Sequence, residues 1–270
     1  MLSRSHPLAR RLRALRADAA LRASEGVLVA EGIHLALEAL ASSMSIEAAV
    51  VSARLADSEE GRDLARRLAA ASVPVYETSP STLDALQDAR SPQPVVLIVR
   101  RPVTELAAAV AGRGGTPLFV VACGVQDPGN LGALLRTADA AGATGFAAAA
   151  GGAGLTHPRA VRASMGALFR LPSVEATLPA ILREVHGSEF TVIGAEAGGE
   201  TAYDAVAWDK PIALLLGGEG AGLPPEAAAA LDLSVSIPMA PGVESLSVNA
   251  AAAVLLFEAA RKRRAINRAG

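Results

Sequence analysis

The stretch Val125–Gly145, VQDPGNLGALLRTADAAGATG, most constrains the fold, because it joins an apolar strand-like run to a helix through a polar turn. Pro128 and Gly129 break the chain after the apolar run Leu118–Cys123, and Asn130 is a good N-cap. Leu131, Leu134, Leu135 and Ala138 then recur at helical spacing until Gly142 ends the helix, with Arg136 and Asp139 on its other faces. Further strands near Gly145–Ala150, Phe190–Gly194, Ile212–Leu216 and Ser234–Ile237 alternate with helices. That alternation predicts an α/β unit whose sheet is mainly parallel and covered on both faces. Ordinary connection rules would leave it doubly wound and unknotted.

Two later segments carry further signals. Leu214–Pro224, LLLGGEGAGLP, places small and acidic residues where the strand Ile212–Leu216 ends. Glycines permit positive φ and close backbone approach, so the loop reads as a tight turn, a phosphate cradle or a pocket for an adenosine-containing cofactor. Gly217, Gly218, Gly220 and Gly222 do not supply the G-x-G-x-x-G spacing of dinucleotide-binding loops, which argues against a nicotinamide-dependent dehydrogenase. Ser234–Ala260 then runs strand, I-P-M, Pro/Gly turn, S-L and a small-residue helix beginning near Ser245.

Taken in this order, the three segments resemble the motifs of the SpoU/TrmH branch of the SPOUT RNA methyltransferases, and VRASMGAL at Val161–Leu168 adds a fourth match. The resemblance implies a deep trefoil knot in the C-terminal sheet, formed by the second and third motif segments and binding S-adenosylmethionine largely through backbone groups. It implies that Leu216, Gly217, Glu219, Ile237, Met239, Leu246 and Ser247 serve the cofactor. Asn130, Arg136, Glu219 and Ser245 are the implied catalytic set. The implied reaction is methyl transfer to a ribose 2′-hydroxyl by a homodimer, with 23S ribosomal RNA as the expected target. A transfer-RNA target and a noncatalytic RNA-binding relative are the alternatives.

A guanidinium is a poor base. Arg136 is therefore expected to hold a phosphate and stabilise the developing oxyanion, with the proton leaving to that phosphate or to water. Asn130 would orient Arg136 or the ribose, Glu219 would shape the loop, and Ser245 would contact substrate or fix the third motif. Relatives commonly read S-L-N-V-S where this chain has Ser245, Leu246, Ser247, Val248 and Asn249. Two helical residues differ by about 200° of rotation, so Asn249 is expected to point away from the site and Ser247 to keep a smaller hydrogen bond.

Three spans are expected: an RNA substrate-binding domain at 1–105, a linker at 106–116 and the methyltransferase domain at 117–270. The composition break falls at Arg100, Arg101 and Pro102 and again at Gly112–Pro117. Before it, strands at Gly26–Ala30, Ile46–Val51, Val73–Tyr76 and Val95–Val99 and helices at Gly32–Ala41 and Glu59–Ala71 make a small α/β domain. Its position resembles the family's substrate-binding domain, which is similar to a ribosomal-protein RNA-binding fold, and Glu31, Gly32 and His34 fit that pattern. Gly32 could equally just start a helix.

The formal charge of −2 over 270 residues excludes a uniformly basic nucleic-acid-binding protein. Basic charge is instead local. Arg4, Arg10, Arg11, Arg13, Arg16 and Arg22 gather near the N-terminus, and Arg261, Lys262, Arg263, Arg264 and Arg268 near the C-terminus. The first cluster is read as contacting phosphates, with Arg4, Arg10, Arg11, Arg13, Glu31 and His34 as the RNA-binding set. The second suits a helix C-terminus. Cys123, the sole cysteine, ends an apolar strand and reads as a buried, inert thiol. The four histidines lack ligand spacing, so no metal is expected. With no apolar h-region or membrane span apparent, the expected location is cytoplasmic.

Overall fold

The computed structural model describes residues 1–88, 91–101 and 104–266; Pro102 and Arg268, named above, lie outside them. The chain forms two compact units, one of Met1–Val103 with Thr156–Arg170, the other of Thr104–Leu155 with Leu171–Gly270.

In the first unit, β1 (Val27–Glu31), β2 (Ile46–Ser52), β3 (Val75–Thr78) and β4 (Val95–Arg100) form a sheet ordered β1-β4-β2-β3. β4 is antiparallel to both neighbours, whereas β2 and β3 are parallel. Val95–Val99 are wholly buried, as a β-branched central strand requires. The helix Pro7–Ala17 lays Ala9, Leu12 and Leu15 on this core, and the His6 ring caps its first turn by accepting from the Leu8 N–H.

The second unit is built on a seven-stranded, entirely parallel sheet. Its strands are β5 (Leu118–Cys123), β6 (Gly145–Ala149), β7 (Ser173–Ala176), β8 (Thr191–Ala195), β9 (Thr201–Ala202), β10 (Ile212–Gly217) and β11 (Leu233–Ser236). Their order is β7-β6-β5-β10-β8-β11-β9. The chain starts in the middle at β5, works outward through β6 and β7, and later inserts β10 on the other side of β5. Both central strands are apolar on both faces, and Phe119, Val121, Ile181, Val192 and Leu215 share one core. The terminal helix Val248–Ile266 is fastened by Arg263, which donates to the carbonyls of Trp208, Lys210, Thr116 and Pro117. Burial pulls that guanidinium below its usual pKa.

Several expectations change. The supposed linker 106–116 begins with the helix Leu106–Ala111, whose Ala109 and Val110 sit in the second core. The unit boundary therefore falls at Val103–Thr104, and Thr156–Arg170, expected within 117–270, packs with the first unit. β7, of four residues, and β9, of two, were not anticipated. Glu31, expected to touch RNA, is buried: its carboxylate accepts from the Asp88 N–H at 2.9 Å and pairs with Arg162 at 3.1 Å. Arg22 is likewise buried, donating to the carbonyls of Leu15 and Arg16.

Removing the Glu31 carboxylate would leave the Asp88 N–H and the Arg162 guanidinium without it. Glu31→Ala is expected to destabilise the first unit by about 1–3 kcal/mol in urea unfolding, and Glu31→Gln by less. An unchanged midpoint would show that the carboxylate does not hold this corner.

Candidate active site

In a parallel sheet the strands end on one edge, and ligands collect there where the winding direction reverses. β5 and β10 are such a pair, with Cys123 beside Gly217 at their C-terminal ends. The segments that follow them are the polar turn and the glycine loop.

After β5 the helix runs Pro128–Ala140, and its N-cap is Asp127, not Asn130: the Asp127 side chain accepts from the Asn130 N–H at 3.0 Å. Aspartate caps as well as asparagine, and Pro128 takes the first helical position, where no N–H is needed. Relieved of capping, the Asn130 amide reaches across the sheet edge. Its Nδ2 donates to Glu219 Oε1, and its Oδ1 accepts from Asn249 Nδ2 at 3.1 Å. The first, second and third motif segments thus meet through three side chains.

The glycine loop owes its composition to its own backbone as much as to any ligand. A Cβ on Gly217 would lie 2.2 Å from the Gly222 carbonyl carbon, and one on Gly218 2.4 Å from the Gly124 oxygen. Gly222 donates back to Gly218 at 3.2 Å, closing the turn. Of the readings left open for this loop, a tight turn is met at Gly217, whose missing side chain admits the other limb of the loop while the residue also lines a cavity.

That loop walls a cavity of about 670 Å³. Leu216, Gly217 and Glu219 enter it from the end of β10. Ile237 and Met239 come from the segment after β11, and Ser245, Leu246 and Ser247 from the turn before the terminal helix. Apolar residues such as Leu216, Ile237, Leu246 and Leu255 share the lining with Glu196, Glu219 and Glu244. Glu196 and Gly198 were not anticipated, although they too follow a strand end.

The terminal helix starts at Val248 rather than near Ser245. Ser247 precedes it, its Oγ accepting from the Ala250 N–H at 3.3 Å. Ser247 and Asn249 are therefore not two positions on one helix, and the rotation that was to turn Asn249 away from the site does not apply.

Arg136 is exposed and forms no ion pair among the described residues; Asp139, on the same helix, pairs with Arg113 at 2.6 Å. It does not line the cavity. In the first unit Arg10 is exposed, Arg4 donates to the Ser81 carbonyl and Arg13 to that of Arg4. Arg11 is committed to Glu25 and Glu47. Burial would lower its pKa, but those two hydrogen bonds outweigh it and hold the guanidinium above its usual value. His34 is half exposed, with Nε2 3.3 Å from the Met165 carbonyl oxygen. Burial pushes the Cys123 thiol up to about 12, making it a poor nucleophile. Among the described residues no His, Cys, Asp or Glu cluster could hold a metal ion, and no helix is long and apolar enough to cross a membrane.

Residues 117–257, more than half the chain, match the SpoU rRNA Methylase family. The chain belongs to that family. Residues 7–97 match the MRM3-like substrate binding domain. A Bacillus subtilis protein named 23S rRNA (guanosine(2553)-2′-O)-methyltransferase RlmP is 29% identical over 87% of this chain and 89% of its own length. An uncharacterized tRNA/rRNA methyltransferase of Mycobacterium ulcerans is 32% identical over 96% of this chain and 85% of its own length. The crystal structure of the SpoU methyltransferase AviRb from Streptomyces viridochromogenes in complex with AdoMet superposes with a TM-score of 0.84 at 27% identity, covering 96% of this chain and 98% of that one.

In this SpoU chain the fit of Gly217 against Gly222 leaves no room for a methyl group. Gly217→Ala is expected to lower the melting temperature, at a cost of about 1–3 kcal/mol. It should also distort the cavity wall, seen as lost ligand binding in calorimetry. Unchanged melting and binding would mean that the loop relaxes freely.

Proposed function

We propose that this protein is an S-adenosylmethionine-dependent methyltransferase that modifies a ribose 2′-hydroxyl of 23S ribosomal RNA. The observation that carries the reading is the Asn130–Glu219 hydrogen bond, which ties the first motif to the rim of the cavity. A noncatalytic RNA-binding relative would have no need of that connection. The ribosomal target is supported by the name of the Bacillus subtilis relative and by the match to a substrate-binding domain.

The cavity suits the cofactor chemically. Apolar lining residues suit a purine, the strand ends offer backbone groups, and the acidic residues of the lining favour a ligand carrying a sulfonium and an ammonium. S-adenosylmethionine, when bound, supplies an electrophilic methyl group. The chain must then make a 2′-hydroxyl nucleophilic. Arg136, exposed on the same helix as Asn130 and without a carboxylate partner among the described residues, is free to grip an RNA phosphate and to stabilise negative charge growing on O2′. As the C–O bond forms and the C–S bond breaks, the hydroxyl proton passes to that phosphate or to water. Asn130 orients the ribose, Ser245 meets the substrate from the turn, and Glu219 keeps the loop in place.

Arg136 lies away from the cavity of its own chain, so a homodimer that brings the two together is part of the proposal. Phe257, nearly half exposed on the terminal helix, offers such an interface an apolar anchor. The inserted position of β10, with β11 returning between β8 and β9, is compatible with the trefoil knot that the resemblance implies. The first unit is inferred to be the RNA-binding domain, similar to a ribosomal-protein fold, with Arg4, Arg10, Arg13 and His34 available to RNA. A cytoplasmic location accords with a ribosomal substrate.

Arg136→Ala should cut methyl transfer by about 3–4 kcal/mol of transition-state stabilisation while leaving cofactor affinity within about a few-fold. Near-normal turnover would remove Arg136 from the chemistry. Neutralising Arg10 and Arg13 together should reduce the salt slope of RNA binding by roughly 1.4–1.8, at about 0.7–0.9 per phosphate contact. An unchanged slope would move the RNA surface elsewhere.

A further inference from the structure

We propose that Asn249 is a positioning residue for methyl transfer, acting through Asn130; this rests on the function proposed above. An aspartate or glutamate carboxylate only accepts hydrogen bonds, so Glu219 obliges Asn130 to turn its amide NH2 toward it. The Asn130 carbonyl oxygen then faces the terminal helix and needs a donor. Asn249 Nδ2 is that donor, at 3.1 Å. The direction of the chain is fixed by the carboxylate at its end, from Asn249 to Asn130 to Glu219.

Nothing in the local structure calls for asparagine here. The helix is capped by Ser247, not by Asn249. Asparagine is a weaker helix former than the alanines that follow it. Its Oδ1, moreover, is buried with no hydrogen-bond partner, an unmet acceptor that alanine would avoid. Two local disadvantages are retained for one contact, and that contact holds a side chain at the meeting point of the motifs. The exchange of polar residues in the third motif gains a physical sense. Serine, which caps as well as asparagine, stands just before the helix, and the longer amide stands two residues on, where it spans the gap to Asn130.

The test uses the full chain with Asn249→Ala, Asn249→Asp, Asn130→Ala and the Asn130→Ala/Asn249→Ala pair. In the protein alone, the side-chain NH2 resonance of Asn130 should shift in Asn249→Ala, and further in Asn249→Asp, whose carboxylate meets the Asn130 carbonyl oxygen. In single-turnover transfer, Asn249→Ala should fall by about tenfold with cofactor Kd unchanged. In the Asn130→Ala background the same change should cost less than about twofold. An unmoved Asn130 resonance, or losses that simply multiply, would overturn the proposal. If the wild-type protein transfers no methyl group, the function proposed above fails, and the resonance still decides whether Asn249 holds the Asn130 side chain.

Discussion

The in-register parallel pairing of β5 with β10 is the constraint on which the rest of the second unit depends. It sets Leu118 against Ile212 and Cys123 against Gly217, so that two segments far apart in the chain end side by side. Burial drives the pairing, at about 1.5–3 kcal/mol for each large apolar side chain removed from water. It does not fix the register, because strands apolar on both faces lack the alternation that would punish a slip. The strand ends supply that information. Gly217 packs on the Gly222–Leu223 backbone and Gly218 on the Gly124 carbonyl, contacts that in this alignment leave no room for a Cβ.

Charge in this chain is divided between structure and solvent in a way that a net value of −2 conceals. Arg22 and Arg263 spend their donors on backbone carbonyls, and Arg11 on two carboxylates. Arg10 and Arg136 are exposed and form no ion pairs among the described residues. A fork of donors with no acid beside it is suited to phosphate, whereas one already saturated is not. Counting arginines along the N-terminal helix therefore overstates its capacity for nucleic acid, and the free ones are those that matter.

Much of this was legible in the sequence. β5, β6 and β10 fall within a residue of where apolar runs and turns put them, since a buried parallel strand is written as an uninterrupted apolar stretch. The residues expected around the cofactor do line one cavity, because the order of the motifs implied loops at neighbouring strand ends. What misled were one-residue decisions at helix starts. Asp127 and Asn130 both suit a cap, and only the observed bond chooses between them. A terminal helix starting at Val248 instead of Ser245 changes the direction of Asn249 altogether. The burial of Glu31 depends on Arg162 and Asp88, partners too distant in sequence to be read locally.

The central claim is that this chain moves a methyl group to ribose. Its most direct test is to incubate the purified protein with isotopically labelled S-adenosylmethionine and unmodified 23S ribosomal RNA, then digest the RNA to nucleosides for mass spectrometry. The account predicts label in a single 2′-O-methylated nucleoside at one position. Label on a base, or none in RNA while the cofactor is bound, would contradict it.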